Sequence, residues 1–136
     1  MIVADTNLVA HLLLGGGQLE TARAVYVRDH EWSAPVLWRS EFANVLARYL
    51  RRKELSLAGA EEVYHLAEDL LSGREYFVPP ARVLRLLTTS PCSAYDCEFV
   101  ALAQVLGARL VTSDKEVLRS FPQIAVTPDR FVEGGV

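Results

Sequence analysis

Four carboxylates, Asp5, Glu41, Asp96 and Asp114, fall where a charge is costly to keep. Asp5 and Asp114 follow apolar strand-like runs, and Glu41 and Asp96 lie on the apolar side of helix-like ones. A chain that places acids beside its own core must fold so as to give them a partner. No matching run of Lys or Arg accompanies them, and the commonest remaining partner for several carboxylates is a divalent cation held by hard oxygen ligands. The pattern points to metal-dependent chemistry on phosphate.

The chain has 136 residues, 51% of them hydrophobic, enough for one domain with a single sizeable core. No composition shift, repeat or low-complexity tract divides it, so residues 1–136 read as one domain, with 133–136 expected as a frayed tail at Gly134-Gly135. A formal net charge of -3 excludes nucleic-acid binding by bulk electrostatics, and any such binding must be local. The start Met1-Ile2-Val3-Ala4-Asp5 carries no basic leader, and His11, Arg48 and Asp96 interrupt the apolar stretches well short of a membrane span. A soluble cytoplasmic protein is expected. Cys92 and Cys97 fit neither a disulfide framework nor a Cys-x-x-Cys site, and Cys97 reads as a small core residue.

Along the chain, strands and helices alternate. Ile2-Val3-Ala4 reads as a buried central strand, Asp5-Thr6-Asn7 as a turn, and Leu8 to Leu14 as a short helix stopped by a mobile Gly15-Gly16-Gly17 loop. A helix through Leu19, Ala22, Val25 and Tyr26 precedes a strand at Trp32-Ser33-Ala34. Phe42, Val45, Leu46, Tyr49 and Leu50 then mark a long amphipathic helix that ends in Arg51-Arg52-Lys53. Ser56 caps a further helix that stops at Ser72-Gly73, Tyr76-Phe77-Val78 is strand-like, and Pro80 opens a helix carrying Val83, Leu84 and Leu87. After Ser90-Pro91 comes a helix with Asp96 in its first turn and Phe99, Val100, Ala103 and Leu106 inward. Leu110-Val111-Thr112 is a strand, Ser113-Asp114 a turn into a short helix, and Ile124-Ala125-Val126 a last strand. The alternation defines an α/β protein with a mostly parallel sheet, whose ligands bind outside the carboxyl ends of the strands.

Taken singly, each acid has an ordinary reading. Ser93 and Asp96 have capping-box spacing, as do Ser113 and Glu116; Asp114 fits a helix N-cap, and Asp5 or Asn7 an Asx turn. Glu41 is harder to absorb, because Leu37, Trp38 and Val45 lie three or four positions away on its own helical face. Jointly, two strand-end acids and two helix acids at one sheet edge are far more specific. Clustered carboxylates repel and raise one another's pKa until a cation neutralises them, and a divalent ion supplies an activated water for phosphodiester hydrolysis.

With those residues identified, the chain resembles the PIN-domain ribonucleases, and among them the VapC-type toxins of prokaryotic toxin-antitoxin pairs. The resemblance runs from Met1 to about Val132. It is carried by Ile2-Val3-Ala4-Asp5-Thr6-Asn7, by Ser40-Glu41 ahead of Asn44-Val45-Leu46, by Tyr95-Asp96-Cys97-Glu98-Phe99-Val100-Ala101-Leu102-Ala103, and by Leu110-Val111-Thr112-Ser113-Asp114. It implies a three-layer α/β sandwich and Mg²⁺- or Mn²⁺-dependent endonucleolytic cleavage of RNA. Asp5, Glu41, Asp96 and Asp114 would be the metal-binding and catalytic acids, with Asn7 and Thr112 in support. It also implies a cognate antitoxin lying over the acidic groove, and a homodimer. Glu98 and Glu116 fit exposed helix positions and stay outside this set.

Among the remaining features, Arg48, Arg51, Arg52 and Lys53 suit a helix C-terminus, and they also offer local attraction for an RNA backbone or an acidic partner. Trp32 and Trp38 read as core, with base stacking as the functional alternative. His11, His30 and His65 form no zinc spacing. Two competing functions fit less well: an aspartyl-phosphate phosphatase or receiver-like domain with Asp5 as nucleophile, and a non-catalytic, metal-stabilised interaction module.

Overall fold

The computed structural model describes residues 1–134. In chain order the elements are β1 (Ile2–Ala4), α1 (Thr6–Leu14), α2 (Leu19–Arg28), β2 (Trp32–Pro35), α3 (Trp38–Arg51), α4 (Leu57–Leu70) and β3 (Glu75–Tyr76). They are followed by α5 (Pro80–Leu87), α6 (Ala94–Leu106), β4 (Arg109–Val111), α7 (Lys115–Ser120), β5 (Ala125–Val126) and α8 (Pro128–Val132). The five strands form one parallel sheet in the order β3-β2-β1-β4-β5. β1 is central, as its wholly apolar Ile2-Val3-Ala4 requires, since both faces of a parallel strand are covered.

Right-handed crossovers decide where the helices lie. From β1 the chain moves to β2 and β3 in one direction, which puts α1 to α4 on one face; it then returns to β4 and β5, which puts α5 to α7 on the other. The packing agrees: α1 contacts α2, α3 and α4, while α6 lies across β2, β1 and β4 and packs on α5. The strand order reverses between β1 and β4, the switch point at which parallel α/β sheets open a crevice at their carboxyl ends.

Several local readings shift. Asp5-Thr6-Asn7 is not a free turn, because Thr6 already begins α1 and the Leu8 and Val9 amides donate to the Asp5 carbonyl oxygen. β3 lies at Glu75–Tyr76, one residue earlier than the apolar run Tyr76-Phe77-Val78 suggests, and Phe77 is 90% exposed. α3 starts at Trp38, a turn ahead of its apolar stripe. α8 was not anticipated, although Thr127-Pro128 carries its signal: the Thr127 hydroxyl accepts from the Arg130 amide and Pro128 occupies the first helical position. Glu133 and Gly134 close α8 through hydrogen bonds to Asp129 and Phe131; the remainder of the expected frayed tail, residues 135–136, lies outside the described residues. Gly15 ends α1 at φ 81°, a conformation that favours glycine.

Candidate active site

Register builds the centre of the site. Pairing of Ile2 with Arg109, Val3 with Leu110 and Ala4 with Val111 leaves Asp5 and Thr112 side by side just past the ends of β1 and β4. The Asp5 amide donates to the Val111 carbonyl oxygen at 3.2 Å. The buried Thr112 hydroxyl donates to Asp5 Oδ2 at 2.6 Å and accepts from the Asp114 amide at 3.1 Å. Its single proton is thus committed to Asp5 and a lone pair to the Asp114 turn. Asp114 is the N-cap of α7, its Oδ1 accepting from the Val117 amide at 2.9 Å; Ser113 plays no such part.

The other two acids arrive on helices from opposite layers. Glu41 sits in the first turn of α3, and its Oε1 accepts from the buried Thr6 hydroxyl at 2.7 Å. Asp96 sits in the first turn of α6, where its amide donates to the Ser93 hydroxyl at 3.1 Å, the expected cap. Asp5, Asn7, Glu41, Asp96 and Asp114 all line one cleft of about 300 Å³, together with Thr6, Asn44, Val45 and Arg48. Thr112 lines an adjoining recess with Asp5, Glu41 and Asp96. Thr6, which sequence reasoning passed over as a turn residue, proves to hold Glu41; its position directly after the strand-end acid is the one signal that could have marked it.

No ion pair among the described residues involves any of the four acids. Burial raises the Asp5 pKa, with Asp114 and Asp96 adding repulsion and with the Thr112 hydroxyl and Asn7 amide opposing it. Burial likewise raises Glu41, countered by Thr6 and reinforced by Asp5, Asp96 and Glu98, and it raises Asp96, with Asp114 adding to it. Desolvation thus outweighs the mutual repulsion that the sequence brings first to mind. Glu98 is partly buried rather than exposed and is itself raised by burial, whereas Glu116 turns to Arg119 at 2.8 Å.

The donor set suits a hard divalent cation in kind, being carboxylate oxygens with nearby hydroxyl and amide oxygens and no sulfur or imidazole. In placement it is open. Among the described residues no three His, Cys, Asp or Glu side chains are grouped closely enough to hold an ion. Three of the acids are hydrogen-bonded within the protein: Asp5 accepts from Thr112, Glu41 from Thr6 and Asp114 from the Val117 amide of its own helix.

Arg48, in the last turn of α3, is exposed on the rim of the acidic cleft, and Arg51, Arg52 and Lys53 follow it into solvent. The tryptophans offer no stacking surface. Trp32 and Trp38 are both 0% exposed, with their indole N–H groups donating to the Asp29 carbonyl oxygen and to Glu75.

An all-parallel sheet with acids from both helical layers at its switch point defines an α/β protein with an acidic cleft at the carboxyl edge of its sheet. Residues 2–124 match the family model of the PIN domain, and the chain belongs to that family. It is similar to Ribonuclease VapC3 of Pyrobaculum aerophilum, with 27% identity over 93% of this chain and 98% of that one. Its fold is also that of PAE2754 from Pyrobaculum aerophilum, known from a crystal structure (TM-score 0.76, 19% identity, 98% of this chain and 94% of that one). A toxin-antitoxin complex from Klebsiella pneumoniae contains a chain of the same fold (TM-score 0.68, 16% identity, 94% of this chain and 98% of that one).

Proposed function

We propose that the protein is a divalent-metal-dependent endoribonuclease and the toxin of a type II toxin-antitoxin pair. One observation carries this reading: four acids from four distant stretches line a single cleft, and among the described residues no cationic side chain is paired to them. Membership of the PIN family and similarity to a protein named as a ribonuclease support it. Asp5, Glu41, Asp96 and Asp114 would hold Mg²⁺ or Mn²⁺. Such an ion, when bound, makes water a better nucleophile at neutral pH and offsets charge building on the phosphate.

The chain's own groups do the positioning. Thr112 and Thr6 hold Asp5 and Glu41 in defined rotamers, so two of the acids are oriented before any ligand arrives. Asn7, exposed at the start of α1, offers an amide to a ligand or water at the cleft mouth. Arg48 stands where a phosphate entering the cleft would meet a guanidinium, which supplies the local attraction that a net charge of -3 denies the molecule as a whole. No observation favours Asp5 as a phosphoryl acceptor: Lys115 is exposed and makes no ion pair with it.

The antitoxin belongs to the same proposal, supported by the fold shared with a chain of a toxin-antitoxin complex, and so does a homodimer. We place the activity in the cytoplasm. Among the described residues no helix is long and apolar enough to cross a membrane, and both cysteines are free and buried. Incubation with total RNA and Mg²⁺ tests the central reading: cleavage should appear and should vanish with a chelator and in Asp96→Asn. Cleavage that survives both would refute it, and ion binding without turnover on any RNA would make the protein an interaction module.

A further inference from the structure

Beside the acidic cleft, and sharing Glu41 and Asn44 with it, lies a larger open pocket of about 650 Å³. Its floor is one face of α3, where Ser40, Ala43, Asn44 and Ala47 recur at helical spacing. Small side chains leave the room, and the amide of Asn44 brings a donor and an acceptor into it. One wall is Tyr95, whose side chain is 62% exposed at the start of α6, directly before Asp96. An aromatic ring left in water beside polar groups, at the edge of a cleft already read as a phosphodiester site, is a stacking platform in search of a flat partner.

We propose that this pocket receives an unpaired nucleobase of the RNA, adjacent to the scissile phosphate, with Tyr95 stacking on its face and Asn44 meeting its edge. The proposal rests on the nuclease reading and deepens it. A base, flat and apolar on its faces but polar at its edges, fits the lining better than a partner's apolar helix does, because Ser40, Glu41 and Asn44 set polar groups beside the Tyr95 ring and Leu37 is the one large aliphatic side chain there. Continuity with the acid cleft supports the same occupant: the two pockets share Glu41 and Asn44, so a nucleotide whose phosphate enters the acid cleft turns its base toward that shared wall. Every base has a π face, so the platform selects single-stranded over paired RNA more than it selects a sequence.

The test uses short single-stranded RNAs carrying the fluorescent base 2-aminopurine at successive positions. They are bound to the full chain in a cleavage-deficient Asp5→Asn background, with kcat/KM for cleavage measured on the unmodified active site. Tyr95→Ala should weaken binding by about tenfold or more, the order associated with one stacked base. It should also remove the fluorescence quenching at one nucleotide position only, and Tyr95→Phe, which keeps the ring, should restore both. An abasic nucleotide at that position should cost the same as Tyr95→Ala, and the two losses should not add.

RNA that binds and is cleaved normally in Tyr95→Ala, or a loss that persists undiminished on abasic RNA, would overturn the subsite while leaving the nuclease intact. A change in oligomeric state with RNA binding unaltered would assign the face to contacts between copies and overturn it too. Failure of the unsubstituted protein to cleave any RNA with Mg²⁺ would remove the nuclease reading, and the subsite with it.

Discussion

Burial acts on Asp5, Glu41 and Asp96 in one direction, raising the pKa of each in the folded chain. A carboxyl group with a raised folded pKa contributes stability that is full below its unfolded pKa and is lost as pH rises through the folded value. Asp29, Glu68 and Glu75 behave oppositely. Burial works against the Asp29 charge, but the terminal ammonium and the Glu31 amide prevail; Arg39 chiefly lowers Glu68 and Glu75, so their contribution is lost as pH falls through their lowered values. Metal-free protein should therefore gain thermal stability as pH falls toward the ordinary carboxylate range of about 4, through the raised values of the buried acids, and lose it as pH falls further through the lowered values of Asp29, Glu68 and Glu75. Asp5→Asn should flatten the rise. A melting temperature that is flat or falling as pH is lowered from neutral toward the ordinary carboxylate range, in the presence of chelator, would count against the buried-acid picture.

Thr112 offers a second test at the same scale. Thr112→Val leaves Asp5 Oδ2 and the Asp114 amide without their partner, at a cost of about 1–3 kcal/mol, and should depress cleavage far more than Thr112→Ser, which keeps the hydroxyl. Equal activity in the two variants would remove Thr112 from the supporting set. Thr112 was legible in the sequence as a hydroxyl near a strand-end acid. Thr6 was not, because its bond to Glu41 spans 35 positions between segments whose adjacency only the fold creates.

Among the elements, Asp114 carries two duties that substitution can separate. It caps α7 through Val117 and it faces the cleft. Asp114→Asn keeps a capping oxygen and should leave the melting temperature within a few degrees while abolishing cleavage, whereas Asp114→Ala should lose the activity and also about 1 kcal/mol of stability. Full activity in Asp114→Asn, followed by RNA gel assay, would reduce this acid to a cap. Elements with a long apolar period and a cap, such as the helix from Ser56 and the helix from Ser93, were readable within a residue or two, because local hydrogen bonds define their ends. β3 and α8 were not. β3 is two residues long and set by pairing with Ala34 and Pro35, and α8 is a single turn and a half whose apolar contact is with α2, far away in sequence.

At the scale of the whole molecule, strand order makes the site. β1 is the strand from which the chain winds in both directions, so Asp5 marks the crevice, α3 brings Glu41 from one layer, α6 brings Asp96 from the other, and β4 sets Thr112 and Asp114 alongside. The alternation of strands and helices was enough to place both strand-end acids on one edge. Which helices would lean over that edge depended on crossover direction, which a single sequence does not display. The hydroxyl partners of Asp5 and Glu41 likewise join residues that no sequence spacing brings together. A cation bound among these acids should stabilise the fold most at neutral pH, where the carboxylates repel.

Whether acids from four separate segments share one ion is answered most directly by diffraction from crystals grown with Mn²⁺, recorded so that the anomalous signal locates the metal. The ion should appear in the cleft lined by Asp5, Glu41, Asp96 and Asp114, coordinated by carboxylate oxygens from both helical layers, and should be absent in Asp96→Asn. A manganese peak elsewhere, or an empty cleft at saturating Mn²⁺ with all four acids in place, would contradict the account.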